Sequence, residues 1–229
     1  MNMVSPRQTK LVIEVIFDFV CPWCYLGVHR LSQLRARRPD LAIQPVWRPF
    51  LLNPDMPRLG MSRADYALRK FGGEDRARRL YAAISEIGAA DGLVFDFARI
   101  SRTPSSVDAH RLLRFATSVA GGVTTERLVL AIFQGYFREG LDIGRRDILV
   151  QLAASVGLDG ELTADFLAHD AVTEDVHADN LQAHRLGING VPFFVVEQSN
   201  AIAGAQEPEV LERLCDLAAS GLMADHWAS

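Results

Sequence analysis

Two cysteines three residues apart, Cys21 and Cys24, stand where an apolar run over residues 11–20 gives way to a helical pattern beginning at Tyr25. A strand-to-helix turn carrying this C-x-x-C puts both sulfurs at a helix N-terminus. There, unpaired backbone N–H groups and the helix dipole favour negative charge. The thiolate, not the thiol, is the nucleophile. Cys21, at the helix start, is therefore the candidate nucleophile. Cys24, one turn further in, is placed to attack a mixed disulfide formed by Cys21, which makes it the candidate resolving thiol. A zinc site would need further ligands at short spacing, and the remaining cysteine, Cys215, is far away in the sequence. A static structural disulfide stays open as an alternative, although it has no need of this turn.

The flanking chain reads as a strand–helix–strand unit. Residues 10–19 are rich in β-branched and aromatic side chains, which suits a buried strand. Pro22 falls in the first helical turn, where its missing N–H costs nothing. Arg35, Arg37 and Arg38 gather near the end of the helix and read as dipole partners and solvated charge, and Pro39 stops it. Residues 41–48 supply a second strand, so the unit is a parallel βαβ. After a Pro-rich loop over residues 49–60, the pattern is helical to about residue 172. Ser105 or Ser106 is the expected cap of one helix there, and Thr124 or Thr125 of the next. The chain then closes as helix, strand, turn, strand, helix, with Gly190-Val191-Pro192 before the first of these strands. The expected architecture is α/β, βαβ followed by helices and then αββα. It divides into residues 1–50 and 172–229 on one side and an inserted helical domain over residues 51–171 on the other.

Composition narrows the function classes. The chain has 229 residues, a net charge of −4 and only three cysteines. That is neither the charge of a nucleic-acid or acidic-membrane binder nor the cysteine density of a secreted disulfide scaffold. The first apolar run is broken by Glu14 and Asp18, so it reads as neither a signal peptide nor a membrane span. The expectation is a cytoplasmic protein with no nucleic-acid or membrane partner and no metal, existing as a monomer or homodimer. A reactive dithiol in that compartment is catalytic or sensing.

Several segments carry a resemblance. They are Phe17-Asp18-Phe19-Val20-Cys21-Pro22-Trp23-Cys24-Tyr25-Leu26-Gly27, Trp47-Arg48-Pro49-Phe50-Leu51-Leu52-Asn53-Pro54, Asp108-Ala109-His110-Arg111-Leu112-Leu113, Gly190-Val191-Pro192-Phe193-Phe194 and Gly204-Ala205-Gln206. With the element order, they make the chain resemble the DsbA-like thioredoxin-fold superfamily. The likeness is to its FrnE-like branch, related to hydroxychromene carboxylate isomerases and kappa-class glutathione transferases. The resemblance implies a thioredoxin fold with a helical insertion. It also implies a cis-proline at Pro192 beside the dithiol, with Val191 offering its backbone to an extended substrate, and Asn53 lining the same cleft. DsbA carries a histidine between its cysteines, where this chain has Pro22-Trp23. The isomerase and transferase relatives typically use a serine, where this chain has two thiols.

The remaining candidates are weighed individually. Trp23, beside the nucleophile, is an apolar contact for substrate or else packs on the insert. Ala205 and Gln206, just before a helix start, are placed to present N–H groups to a carboxylate. Asp18 either relays protons to Cys24 or orients the turn by hydrogen bonding, the latter being favoured. His110 reads as a hydrogen-bonded interior histidine and Cys215 as a small core residue. The resulting expectation is a thiol–disulfide oxidoreductase acting on protein or small-molecule disulfides. It holds no permanent cofactor, takes glutathione as a candidate co-substrate, and has the insert roofing the cleft. The rivals are a glutathione-dependent isomerase or transferase for an aromatic or polyketide-like small molecule, and a non-catalytic chaperone-like binding module.

Overall fold

A computed structural model describes residues 9–220. Its central sheet has four strands in the order β2-β1-β5-β6. Strand β1 (Thr9–Phe17) is flanked by β2 (Leu41–Pro49), parallel to it, and by β5 (Phe193–Val196), antiparallel to it; β6 (Asn200–Ala203) pairs with β5 at the far edge. Alternation along β1 sorts the two sheet faces. Leu11, Ile13, Val15 and Phe17 join the main core with Leu31 and Leu34 of helix α1 (Pro22–Arg37) and Leu211 and Cys215 of helix α9 (Pro208–Ala219). Ile16, on the opposite face, packs with Phe50, Ile188 and Ala183, the last from helix α8 (Thr173–Arg185). The βαβ and αββα halves meet in one mixed sheet, as the element order in the sequence predicts.

Between β2 and α8 lie helices α2 (Arg63–Phe71), α3 (Glu74–Ala90), α4 (Val107–Val119), α5 (Gly122–Phe137), α6 (Arg146–Ser155) and α7 (Gly160–Ala168). Two-residue strands β3 (Met61–Ser62) and β4 (Arg102–Thr103) pair antiparallel within this region, where the sequence pattern predicts only helix. Helix α5 is stacked on α1: the Phe133 ring lies 5.2 Å from Tyr25 at 12°, and Phe133 also meets Phe17 and Phe19. Leu112, Leu128, Ile132 and Phe133 belong to the same buried cluster as Val15 and Leu26. The helices therefore share a continuous core with the sheet and are not a separately cored layer.

Two local expectations change. Helix α5 begins at Gly122, so Thr124 and Thr125 lie inside it; the Thr125 hydroxyl donates back to the Gly121 carbonyl at 3.2 Å instead of capping the start. The arginines at the end of α1 are tied to carboxylates. Arg35 pairs with Glu126 of α5 and Arg37 with Glu209 of α9, while Arg38 meets Asp40, Glu212 and Asp216. Complementary charge on neighbouring elements, distant in sequence, explains the difference from a solvated face.

Candidate functional site

The turn after β1 is built around Asp18. Its backbone carbonyl accepts from the Cys21 N–H at 3.1 Å. Its buried carboxylate accepts from the Val20 N–H at 3.3 Å and, through Oδ2, from the Leu52 N–H at 2.7 Å. The loop after β2 is pinned at three successive residues: the Phe50 N–H donates to the Phe17 carbonyl, the Leu51 N–H to Asn180 Oδ1, and the Leu52 N–H to Asp18. The turn-orienting role expected of Asp18 is the one its geometry displays.

Cys21 occupies the position just before α1, in extended conformation with no side-chain cap, and Pro22 follows in the first helical turn. Cys21 is 4% exposed and Cys24 0%; both thiols are free. Burial, more than any other cause, pushes the Cys24 thiol well above the ordinary thiol range. Its hydrogen bond to Cys21 and the charge of that neighbour act the same way, while the Asp18 backbone N–H partly opposes them. Trp23 stands 42% exposed beside the pair. Cys215 is wholly buried, and burial pushes its thiol up to about 11.

The chain end brings Val191 to the dithiol. The Cys21 Sγ–H donates to the Val191 carbonyl at 3.6 Å. The Val191–Pro192 peptide is cis. Pro192 lies against α1: a Cβ added to Gly27 would come within 2.9 Å of Pro192 Cγ and 3.1 Å of Phe194 Cζ, so only a glycine allows this approach. The Pro192 carbonyl accepts from the Gly204 N–H at 2.8 Å, which closes the open end of the β5–β6 hairpin.

The segments expected to meet a ligand have the following surroundings. The Gln206 N–H donates to the Gly204 carbonyl, and its side-chain amide donates to the Ala203 carbonyl. The Ala205 carbonyl accepts from Arg30 at 2.8 Å. These bonds occupy the Gln206 backbone N–H and one of its two side-chain N–H groups within the turn, and the Ala205 carbonyl against α1. Asn53 lines a cavity of about 220 Å³ with Leu52, Met56, Tyr66, Arg69 and Lys70, and neither Cys21 nor Val191 lines it. Arg30 was not singled out from sequence, although it interrupts an otherwise apolar helical face. Buried at its guanidinium, it joins α1 to Ala205, to Asp91 at 2.5 Å and to Glu207 at 2.8 Å, fixing the turn beside the site. His110 is wholly buried as expected, but neither ring nitrogen has a hydrogen-bond partner. No helix among the described residues is long and apolar enough to cross a membrane.

Comparison with known proteins agrees with this geometry. A family model described as "DSBA-like thioredoxin domain" matches residues 12–216. A probable DsbA oxidoreductase from Streptomyces coelicolor superposes with a TM-score of 0.81 at 29% identity, covering 96% of this chain and 94% of that one. A 2-hydroxychromene-2-carboxylate isomerase superposes at 0.69, with 18% identity and coverage of 93% and 100%. The cytosolic disulfide reductase DsbM of Pseudomonas aeruginosa, solved with GSH, superposes at 0.56, with 22% identity and coverage of 92% and 96%.

Proposed function

The chain belongs to the DSBA-like thioredoxin domain family, and from that premise we propose that it is a thiol–disulfide oxidoreductase using the Cys21–Cys24 pair. The observation that carries the reading is the position of Cys21. Its sulfur lies at an uncapped helix start and in contact with the carbonyl before Pro192. The Cys21 thiolate attacks a substrate disulfide and releases one substrate thiol, leaving a mixed disulfide on Cys21. Cys24 then attacks the Cys21 sulfur, forming the Cys21–Cys24 bond and releasing the second substrate thiol. An external reductant returns the pair to dithiols.

Val191 and Pro192 position the partner, and Trp23 offers it an exposed apolar face. Pro22 shapes the helix start, and the turn at Ala205 is held against α1 by Arg30. Glutathione is the co-substrate we favour, since DsbM of the same fold was solved with it. The reading places the protein in the cytoplasm, without a permanently bound cofactor. The presence of both thiols favours dithiol exchange over glutathione-dependent isomerisation, which needs only one activating hydroxyl or thiol.

Reduction of insulin disulfides in a glutathione buffer, before and after thiol blocking, tests the proposal. Turnover lost on blocking supports it. Insulin aggregation suppressed equally with and without free thiols would support the chaperone-like module instead. A glutathione-dependent activity that survives Cys24→Ser would support the isomerase or transferase.

A further inference from the structure

A second cavity lies away from the dithiol. It is a groove of about 710 Å³ between the β2 edge and helices α4 and α5, and neither Cys21 nor Cys24 lines it. Its size is that of a small-molecule site. Strand β2 is an edge of the central sheet. The Phe50 N–H donates to the Phe17 carbonyl, so even-numbered positions of β2 bond to β1 and odd-numbered ones face away from it. Two of the outward positions are Pro45 and Pro49, which have no N–H to give an added strand. The edge is therefore poorly suited to pairing with a peptide.

The helical wall of the groove is the α4 stripe His110, Leu113, Arg114 and Thr117, spaced i, i+3, i+4 and i+7. Val46 and Trp47 of β2 and Val123 of α5 add apolar surface. The Trp47 ring stands 5.6 Å from Phe17, and Phe17 stands 5.3 Å from the His110 ring. Arg35 is paired with Glu126, Arg48 with Glu14 and Arg114 with Asp179, so every Arg, Asp and Glu lining the groove has its counter-ion. An ionic ligand would find no charge left to neutralise.

Two side chains of this lining keep unserved polar atoms. His110 is wholly buried and neither ring nitrogen has a hydrogen-bond partner; Arg114 Nε is buried and lacks one too. Burying such groups unpaired is costly, and a phenylalanine would fill the His110 niche without that cost. His110 Nε2 lies 3.7 Å from Asp18 Oδ1, too far for a hydrogen bond but close enough for the carboxylate to favour the proton on Nε2. Nδ1 is then left as an acceptor. Arg114, one turn further along the same face, has an N–H to donate.

We propose that the groove binds an uncharged apolar molecule bearing a hydroxyl group, which donates to His110 Nδ1 and accepts from Arg114 Nε while the body lies against Trp47 and Leu113. A hydroxyl is the simplest neutral group that both donates and accepts. The site takes no part in thiol exchange, and the inference stands independently of the dithiol reading.

The probe is 4-phenylphenol, with biphenyl as the analogue lacking the hydroxyl and 4-phenylbenzoate as an ionised one. Two-dimensional NMR of the reduced protein follows the titrations through the Trp47 indole and the His110 imidazole. The phenol should shift both signals saturably and bind about fivefold or more tightly than biphenyl, with the benzoate weakest. In His110→Phe the preference for the phenol over biphenyl should vanish while biphenyl still binds, a ratio that loss of packing alone would not move. Thr117→Trp, at an exposed position, should fill the groove and abolish binding of both with melting unchanged, which keeps the test decisive should His110→Phe fail to fold. Cys21→Ser should bind as the wild type does. Equal affinities for phenol and biphenyl, tighter binding of the benzoate, an unchanged preference in a folded His110→Phe, or shifts centred on Trp23 in place of Trp47 would each overturn the proposal. So would groove signals that move with protein concentration alone, the sign of a second copy covering β2.

Discussion

Helix α1 has two ends with opposite treatment. At its N-terminal end no side chain caps Cys21 and no acidic residue stands in the first helical turn, so the positive end of the dipole is left to the cysteine. At its C-terminal end Arg35, Arg37 and Arg38 complement the dipole and are themselves matched by carboxylates on β2's approach, α5 and α9. The helix is thus anchored from the end that does no chemistry. A side-chain cap at Cys21 would have stabilised the fold by satisfying an N–H, but it would have spent the one local charge able to favour a thiolate. The difference teaches where this fold places its stability and where it withholds it.

The sharpest way to break the comparison is at the open end. Cys21→Ser should reduce disulfide exchange to the uncatalysed background, because a hydroxyl is a far weaker nucleophile toward disulfides; insulin reduction measures it. Next is Gly27→Ala, on the face of α1 that meets Pro192. The added carbon would sit 2.9 Å from Pro192 Cγ. Denaturant unfolding should show a loss of about 1–3 kcal/mol from overpacking. The two thiols should also differ in alkylation. A thiol held above its ordinary value of 9.0 stays protonated as pH rises through neutrality, so Cys24 should react with iodoacetamide about tenfold or more slowly than Cys21 at pH 7. The gap should narrow only at strongly alkaline pH, and peptide mapping of the reduced protein follows it. The smallest effect belongs to the closed end. Arg38→Ala removes contacts to partly exposed carboxylates and should lower Tm by no more than about 2–4 °C, less at high salt, with exchange activity unchanged.

What the sequence disclosed and what it withheld follow the same division. Local signals sufficed for β1, α1 and β2, where β-branched residues, a proline in the first turn and Pro39 after the last one each act within a few residues. They also sufficed for the exposure of Trp23 and the deeper burial of Cys24, both consequences of position along one helical turn. Long-range partners were not legible. Nothing near Arg38 in the sequence points to Asp216, and nothing near Gly204 says that its N–H will be taken by the Pro192 carbonyl. Strands β3 and β4 are two residues each, too short for any period to register. His110 could be read as interior, but its facing Asp18 with no hydrogen bond arises only when α4 is packed on the β1–α1 turn.

The central claim is that Cys21 attacks and Cys24 resolves. Cys24→Ser isolates the first step: exposed to oxidised glutathione, the variant should accumulate a single glutathione adduct on Cys21, mapped by peptide mass spectrometry and released by reductant. An adduct on Cys215, or none at all, would contradict the account.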